Sequence, residues 1–322
     1  MMPAHDKARD ETPDRVQDAT GDEPRGRAKG RRPKGGGGFP RLPTPYLLLV
    51  PSALFMLALF AWPLAQGVAT AAHDPSTGTG WGLESFRRMV EDPAFRPAVR
   101  NTLLLIVIVL PVQFALAIAM ALLLRERPRL SGLYFYLWAV PLAISDLAAG
   151  LVWLAVFADQ GYLNSALEAV GIAPREWLSY RNQGTMLLAV VVAELWRSTS
   201  LVFVILVGGL SVIPKEYDEA AQVFGATVWQ RLRHVTLPLL RPSIQVALIL
   251  RTILALQAFA VAQALTGRGF PLLIGETYEW YVNLQNPYVA AAVGMVILVV
   301  SMVTAVVYLR TLRRPEAARG AR

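Results

Sequence analysis

The sequence predicts an all-α polytopic membrane protein with six transmembrane helices. Of the 322 residues, 54% are hydrophobic and only 17% are charged, whereas soluble domains keep about a quarter of their residues charged. The chain also contains several nearly uncharged runs of about 20 residues, the length of helix that crosses the hydrocarbon core of a bilayer. Arg and Lys are concentrated in the tails and in alternate loops, which is the distribution expected of cytoplasmic segments.

Composition excludes several kinds of chemistry. The chain has no cysteine, so it forms neither disulfides nor thiolate sites. Its three histidines, His5, His73 and His234, lie far apart, without the spacing of a metal-ligand motif. No lysine stands in a GxxxxGK[ST] frame, so a nucleotide-binding P-loop is absent. We therefore expect no catalytic residue, no metal and no cofactor.

Residues 1–44 are predicted to form a disordered basic cytoplasmic tail. They are rich in Pro, Gly, Asp and Arg and nearly free of apolar side chains, a composition that cannot bury a core. From Arg25 to Arg41 the tail carries seven basic residues and no acid. A basic run before the first apolar segment indicates a cytoplasmic N-terminus, and a cleaved leader is not expected because that segment lies far from Met1. Lipid binding by the run is open, and no nucleic-acid partner is expected.

The apolar runs define six spans, connected by loops that alternate between the two sides of the membrane. Both termini, including a tail at 315–322, are therefore predicted to be cytoplasmic. A short helix over about Leu163–Val170 is expected in the second outer loop. The predicted spans are about Pro45–Leu64, Thr102–Leu124, Leu133–Phe157, Met186–Leu210, Ile244–Leu265 and Val289–Leu309.

Four ionisable residues fall inside the predicted spans: Asp146, Glu194, Arg197 and Arg251. Each costs about 3 kcal/mol at the centre of a helix in a membrane, so these side chains should face the bundle interior or a wet cavity. Glu194 and Arg197 are three residues apart on one helix face and are predicted to pair with each other. The alternative is that one of them lines a polar path. Asp146 and Arg251 have no partner nearby in sequence and are expected to pair between helices or to meet water.

The loop 211–242, between the fourth and fifth spans, is predicted to carry a short helix–turn–helix. Pro214 suits the start of a helix, because its missing N–H is not needed there. The acidic residues that follow it lie where negative charge stabilises a helix N-terminus. A second short helix is expected over about Thr227–His234, ended by Pro238 and Pro242 before the fifth span begins.

This loop resembles the EAA loop of the permease subunits of binding-protein-dependent ABC importers. That pattern consists of EAA, a glycine and a later Leu-Pro. It is matched in order and spacing by Glu219, Ala220, Ala221, Gly225, Ala226, Leu237 and Pro238. The resemblance extends over nearly all of residues 45–314 and is greatest toward the carbohydrate branch, similar to the maltose/glycerol-phosphate-type first permease.

The resemblance implies a six-helix permease domain of the ABC type I importer fold at 45–314, with 211–242 as the coupling loop. It further implies import of a sugar or related polyol across the cell (inner) membrane, without catalysis by this chain. The implied partners are two ATP-binding subunits, a second permease subunit and an extracytoplasmic solute-binding protein. The alternatives are a permease for another small solute, such as glycerol phosphate, and an ion-coupled secondary carrier.

Three departures from the family pattern bear on specificity. Phe224 stands where the family usually has Asp, and Ala260 follows Phe259 where Phe-Asp is common. The usual Gly-Gly-Pro is replaced by Arg268-Gly269-Phe270-Pro271. Docking of the loop should survive the first change, whereas the other two leave the substrate open.

Overall fold

The computed structural model describes residues 44–74, 80–126 and 129–312 and is almost wholly helical within them. Of the predicted tails, 1–44 and 315–322, only Thr44 belongs to the described residues. A two-stranded antiparallel ribbon pairs β1 (His73–Asp74) with β2 (Gly80–Trp81). The α-helices of the described residues are α1 (Thr44–Met56), α2 (Trp62–Ala71), α3 (Glu84–Glu91), α4 (Phe95–Arg125), α5 (Ser131–Ala143), α6 (Asp146–Phe157), α7 (Tyr162–Ala169), α8 (Gln183–Ser211), α9 (Glu216–Val223), α10 (Val228–Arg231), α11 (Leu237–Leu256), α12 (Ala260–Thr266), α13 (Leu273–Tyr278) and α14 (Pro287–Leu312).

Short π-helical segments connect some of these helices without a break in the helical path. They are Leu57–Ala61, Leu232–Thr236 and Glu279–Asn283. Five helical stretches in the described part are long and apolar enough to cross a membrane, and the number is six when a bent pair of helices is counted as one span. The predicted six-span, all-α class is therefore confirmed. The five stretches are Leu48–Ala71, Phe95–Arg125, Gln183–Ser211, Val228–Leu256 and Pro287–Thr311.

The third span, predicted as one helix over Leu133–Phe157, is broken. α5 ends at Ala143 and the next segment starts at Asp146, and the two are bent by 103°. Ile144 and Ser145 are extended, and the Ser145 hydroxyl accepts a hydrogen bond from the N–H of Ala148 (3.2 Å), which caps α6. A serine cap provides a start signal for a new helix.

The fifth span also differs from its prediction. Pro238 and Pro242 do not break the helix, which runs continuously over Val228–Leu256. Pro238 comes two residues after the π-helical segment Leu232–Thr236, at the start of α11, where the regular i→i−4 hydrogen-bond pattern of the α-helix has not yet resumed. The π-helical segment before α11 accommodates an extra residue within the turn. The helix then stops at Leu256, before the predicted end at Leu265, and α12 resumes after Phe259.

The described part of the chain divides into two units, one that ends at Phe55 and one that begins at Met56. In the second unit, α4, α8 and α11 pack around one apolar core that is centred on Phe203 and Leu206 of α8. Where this packing meets the loop 211–242, a Cβ on Gly209 would lie only 2.6 Å from Cβ of Ser243. Glycine therefore permits α8 and α11 to approach closely beside the coupling loop.

The helices that follow the two breaks pack against each other. A Cβ on Gly150 of α6 would lie 2.6 Å from Cβ of Ala264 on α12, so these short helices are in backbone-close contact. Both also contribute to an apolar cluster with α8. The third and fifth spans therefore contact each other through α6 and α12, the short helices that follow their breaks.

Candidate coupling loop and intramembrane charge network

The first helix of the coupling loop is α9, which carries Glu216, Asp218 and Glu219 in its first turn. It ends in a left-handed turn, since Gly225 has a φ of +77°. The N–H of Ala226 donates to the carbonyl of Ala221 (3.0 Å), and the N–H of Gly225 donates to that of Gln222 (2.9 Å). This pair of hydrogen bonds is a Schellman motif, which needs a residue with positive φ after the helix. The spacing between the EAA residues and the glycine thus has a direct structural reason.

The second part of the loop begins with a capping box. The Thr227 hydroxyl accepts from the N–H of Gln230 (3.3 Å), and the Gln230 side chain accepts from the N–H of Thr227 (2.8 Å). Arg231 then reaches back to Asp218, with 3.6 Å between Nη1 and Oδ2. The turn and the ion pair together hold α9 and α10 as one rigid helix–turn–helix.

The loop exposes an apolar surface, which we call the coupling surface. Its centre is Phe224, which is 90% exposed. Large apolar side chains grouped at the end of a loop are typical of a protein interaction site. The coupling surface comprises Tyr217, Val223, Phe224, Val228 and Trp229.

The predicted motif residues occupy different environments. Glu219 and Ala220 are exposed, whereas Ala221 and Ala226 are half-buried at the turn. Leu237 and Pro238 are half-buried at the start of α11 rather than in a separate linker. Glu219 also borders a cavity of about 600 Å³ beneath the loop, together with Arg125 at the end of α4.

The intramembrane charges pair differently from the prediction. Glu194 does not pair with Arg197; its carboxylate binds Arg251 of α11, with 3.0 Å between Oε2 and Nη2, and both side chains are buried. Arg197 instead pairs with Asp146 at the start of α6. Side chains three residues apart on a helix point about 60° apart, so two neighbouring helices can each capture one of them. The expectation that Asp146 and Arg251 pair between helices is confirmed.

Uncharged polar residues complete the buried network. Oε1 of Gln113 on α4 accepts from Arg251 Nε (3.1 Å) and from the Ser198 hydroxyl (2.8 Å). The network therefore connects α4, α8 and α11 inside the bundle. Our sequence reasoning missed Gln113 and Ser198, although polar residues inside apolar spans are a usable signal because they need partners there.

Within residues 44–74, 80–126 and 129–312, no group of three or more His, Asp or Glu residues is arranged to hold a metal ion. The site thus consists of an exposed helical loop connected to a buried charge network. Its side chains are suited to protein contact and to the transmission of motion.

Comparison with known proteins places this geometry in context. The family model for the binding-protein-dependent transport system inner membrane component matches residues 94–315. Among similar proteins, the sulfoquinovosyl glycerol transport system permease protein SmoG of Agrobacterium fabrum is 33% identical over 288 residues, which cover 84% of this chain and 90% of that protein. The trehalose/maltose transport system permease protein MalF of Thermococcus litoralis is 28% identical, covering 82% and 92% of the two chains.

A solved structure shares the fold. It is a bacterial ABC transporter involved in the import of the acidic polysaccharide alginate. The match has a TM-score of 0.72 at 22% identity and covers 85% of this chain and 96% of that chain. A second structure of a bacterial alginate ABC transporter is in complex with a periplasmic protein that holds an alginate pentasaccharide, and it matches with the same TM-score.

Proposed function

This chain belongs to the family of binding-protein-dependent transport system inner membrane components, and on that premise we propose that it is a transmembrane permease subunit of an ATP-driven ABC importer for a sugar or related polyol. The observation that carries the proposal is the coupling loop. It is a rigid helix–turn–helix with an exposed aromatic surface, inserted between two membrane-spanning helices.

The loop is suited to transmit motion because it is stiffly connected to both neighbouring spans. The helix that begins at Val228 in the loop continues without a break to Leu256, so a displacement of the loop moves Arg251 deep in the bundle. Close packing at Gly209 keeps α8 beside α11. Arg251 in turn holds Glu194 and Gln113, which extends the moving body to α4. A lever of this kind can drive alternating access.

The partners follow from this role. Two ATP-binding subunits would receive the coupling surfaces of this chain and of a second permease subunit, and they would hydrolyse the ATP, so this chain would need no catalytic residues of its own. An extracytoplasmic solute-binding protein would deliver the solute, as the periplasmic protein in the alginate structure suggests. Both termini would be cytoplasmic, because basic residues are concentrated on that side.

The substrate class is supported by the names of the relatives. They are permease proteins of transport systems for sulfoquinovosyl glycerol, for trehalose and maltose, and for sn-glycerol-3-phosphate. These solutes share several hydroxyl groups on a carbon skeleton. A sugar or polyol is therefore the proposed cargo, and a phosphorylated polyol is the alternative.

Reconstitution tests the proposal. Vesicles that contain this chain, its second permease and its ATP-binding subunits should take up the solute only when ATP and the loaded binding protein are present. Calorimetry of the binding protein against a panel of sugars would identify that solute. Uptake driven by an ion gradient in vesicles of this chain alone would contradict the proposal and indicate a secondary carrier.

A further inference from the structure

The segment that follows the fifth span encloses a small cavity, on the side of the bundle that the proposed orientation places outside the cell. The cavity has a volume of about 100 Å³ and lies between α12, α13 and the residue before α4, Ala94. Arg268, Phe270 and Pro271 line it; they belong to the stretch that replaces the usual Gly-Gly-Pro. The cavity is separate from the coupling loop and from the buried charge network.

Two buried carboxyl groups line this cavity, and only one of them is fully paired. Glu279 forms an ion pair with Arg268, with 2.7 Å between Nη1 and Oε1, and also accepts a hydrogen bond from Asn283 Nδ2 (2.6 Å). Glu276 is only 4% exposed, and among the described residues its Oε2 has no hydrogen-bond partner. A buried polar atom without a partner is costly, so Glu276 has hydrogen-bonding capacity that a ligand could use.

An aromatic wall completes the cavity. The rings of Phe259 and Tyr278 lie 5.3 Å apart between centroids and are tilted by 36°. Both residues line the cavity, as does Gln263. Aromatic faces that contact C–H groups, combined with a few polar groups that hydrogen-bond to hydroxyls, form a concave site suited to a small polyhydroxy compound.

The charges of the site favour a neutral ligand. Burial raises the pKa of Glu276; the charge of Asp92 raises it further, Arg268 opposes the rise, and Glu279 adds to it. A protonated carboxyl can both donate to and accept from a hydroxyl group, whereas an ionised carboxylate can only accept. An anionic ligand would meet Glu279 and Asp92 with a single guanidinium to offset them.

We propose that this cavity is a polyol-binding site at the outer mouth of the permease, in which Glu276 hydrogen-bonds a hydroxyl group of the incoming solute while Phe259 and Tyr278 contact its C–H face. The volume admits a few water-sized groups, so the site takes a short polyol or one end of a saccharide. This inference rests on the proposed import of a sugar or polyol. The competing ligand is a small organic cation.

Saturation-transfer NMR on the full chain in lipid nanodiscs tests the site directly, with glycerol as the polyol probe and choline as the cation probe. Glycerol should bind the wild type. Glu276→Ala should weaken glycerol binding about fivefold, the loss of roughly one hydrogen bond, whereas Glu276→Gln should retain it. Tyr278→Ala changes the aromatic wall, at a half-exposed residue, and should also weaken binding. Glu168→Ala, on an exposed part of α7, should bind as the wild type does.

Three results would overturn the inference: binding of choline but not glycerol, binding of neither probe, or glycerol binding that survives both Glu276→Ala and Tyr278→Ala. The measurement needs no ATPase, so it separates the two proposals. ATP-driven polyol uptake without glycerol binding at Glu276 would refute the site alone. Glycerol binding here without ATP-driven uptake would refute the importer function and leave the site.

Discussion

At the residue scale, the turn of the coupling loop depends on the left-handed backbone of Gly225. A Cβ at this position would meet nothing within 4 Å, so Gly225→Ala introduces backbone strain without a clash. The strain is worth about 1–2 kcal/mol and should open the turn, which would weaken binding of the ATP-binding subunit. The measurement is co-purification of that subunit with the variant.

Gly171 provides a matched control. It has the same φ of +77° and open space around it, and it ends α7 with the same pair of hydrogen bonds. Gly171→Ala should therefore cost similar stability and leave the ATP-binding subunit bound. Equal loss of the subunit in both variants would show that the effect comes from general destabilisation rather than from the coupling loop.

Phe224 is the most exposed side chain of the coupling surface. Because it is exposed in the chain itself, Phe224→Ala should leave the thermal stability of the permease unchanged. It should weaken association with the ATP-binding subunit about tenfold, since buried aromatic anchors dominate interfaces. Biolayer interferometry would measure this. Val170→Ala, at an exposed apolar residue directly after α7, is the control, and an unchanged affinity for Phe224→Ala would remove Phe224 from the interface.

Glu276 should make stability depend on pH. Because its folded-state pKa is raised, mainly by burial, its contribution to stability is full below the ordinary glutamate value and is lost as pH rises through the folded value. Glu276→Gln stays neutral, so its melting temperature should match that of the wild type near pH 4, below the ordinary glutamate pKa, and exceed it by a growing margin as the pH rises above that value. Melting curves in detergent, with Glu168→Gln as the exposed control, check this. A difference that is constant across pH would contradict it.

At the scale of helices, the ion pair between Glu194 and Arg251 should be coupled energetically. Glu194→Leu alone leaves the Arg251 charge buried and should cost about 3–5 kcal/mol. The double variant Glu194→Leu/Arg251→Met should cost clearly less than the sum of the single changes. Unfolding in mixed micelles gives the coupling energy, and the equivalent cycle with Glu194 and Arg197 should give a smaller one. A larger coupling energy for Glu194 with Arg197 than with Arg251 would instead support the pairing predicted from sequence.

The same pair shows which features could be predicted from sequence. Spacing along one helix places Glu194 beside Arg197, but the pairing is decided by α6 and α11, whose positions arise from packing. The fourth span, by contrast, was predicted within three residues at each end, Met186–Leu210 against Gln183–Ser211, because apolar length and flanking polar residues are local properties. The helix of the coupling loop was likewise predictable from its acidic first turn, although it begins at Glu216 and Pro214 lies before its N-cap, Lys215.

The broken spans were not predictable in the same way. The break in the third span could have been predicted from Ser145, which caps α6. The end of α11 at Leu256, in contrast, is not marked by a nearby proline or glycine. It coincides with the packing of α12 against α6, a tertiary contact. The cavity around Glu276 was missed for the same reason, since its walls come from segments far apart in sequence.

At the scale of the whole molecule, the orientation in the membrane can be tested with unusual clarity because the chain contains no cysteine. Single-cysteine variants therefore report one site each. Tyr180→Cys lies in the loop before α8, which is predicted to face outward, and Val223→Cys lies in the coupling loop; both positions are well exposed. A membrane-impermeant maleimide should label Tyr180→Cys in intact spheroplasts and Val223→Cys only after the membrane is permeabilised. The reverse pattern would place the coupling loop outside the cell, where ATP-binding subunits could not reach it, and would contradict both the orientation and the importer mechanism built on it.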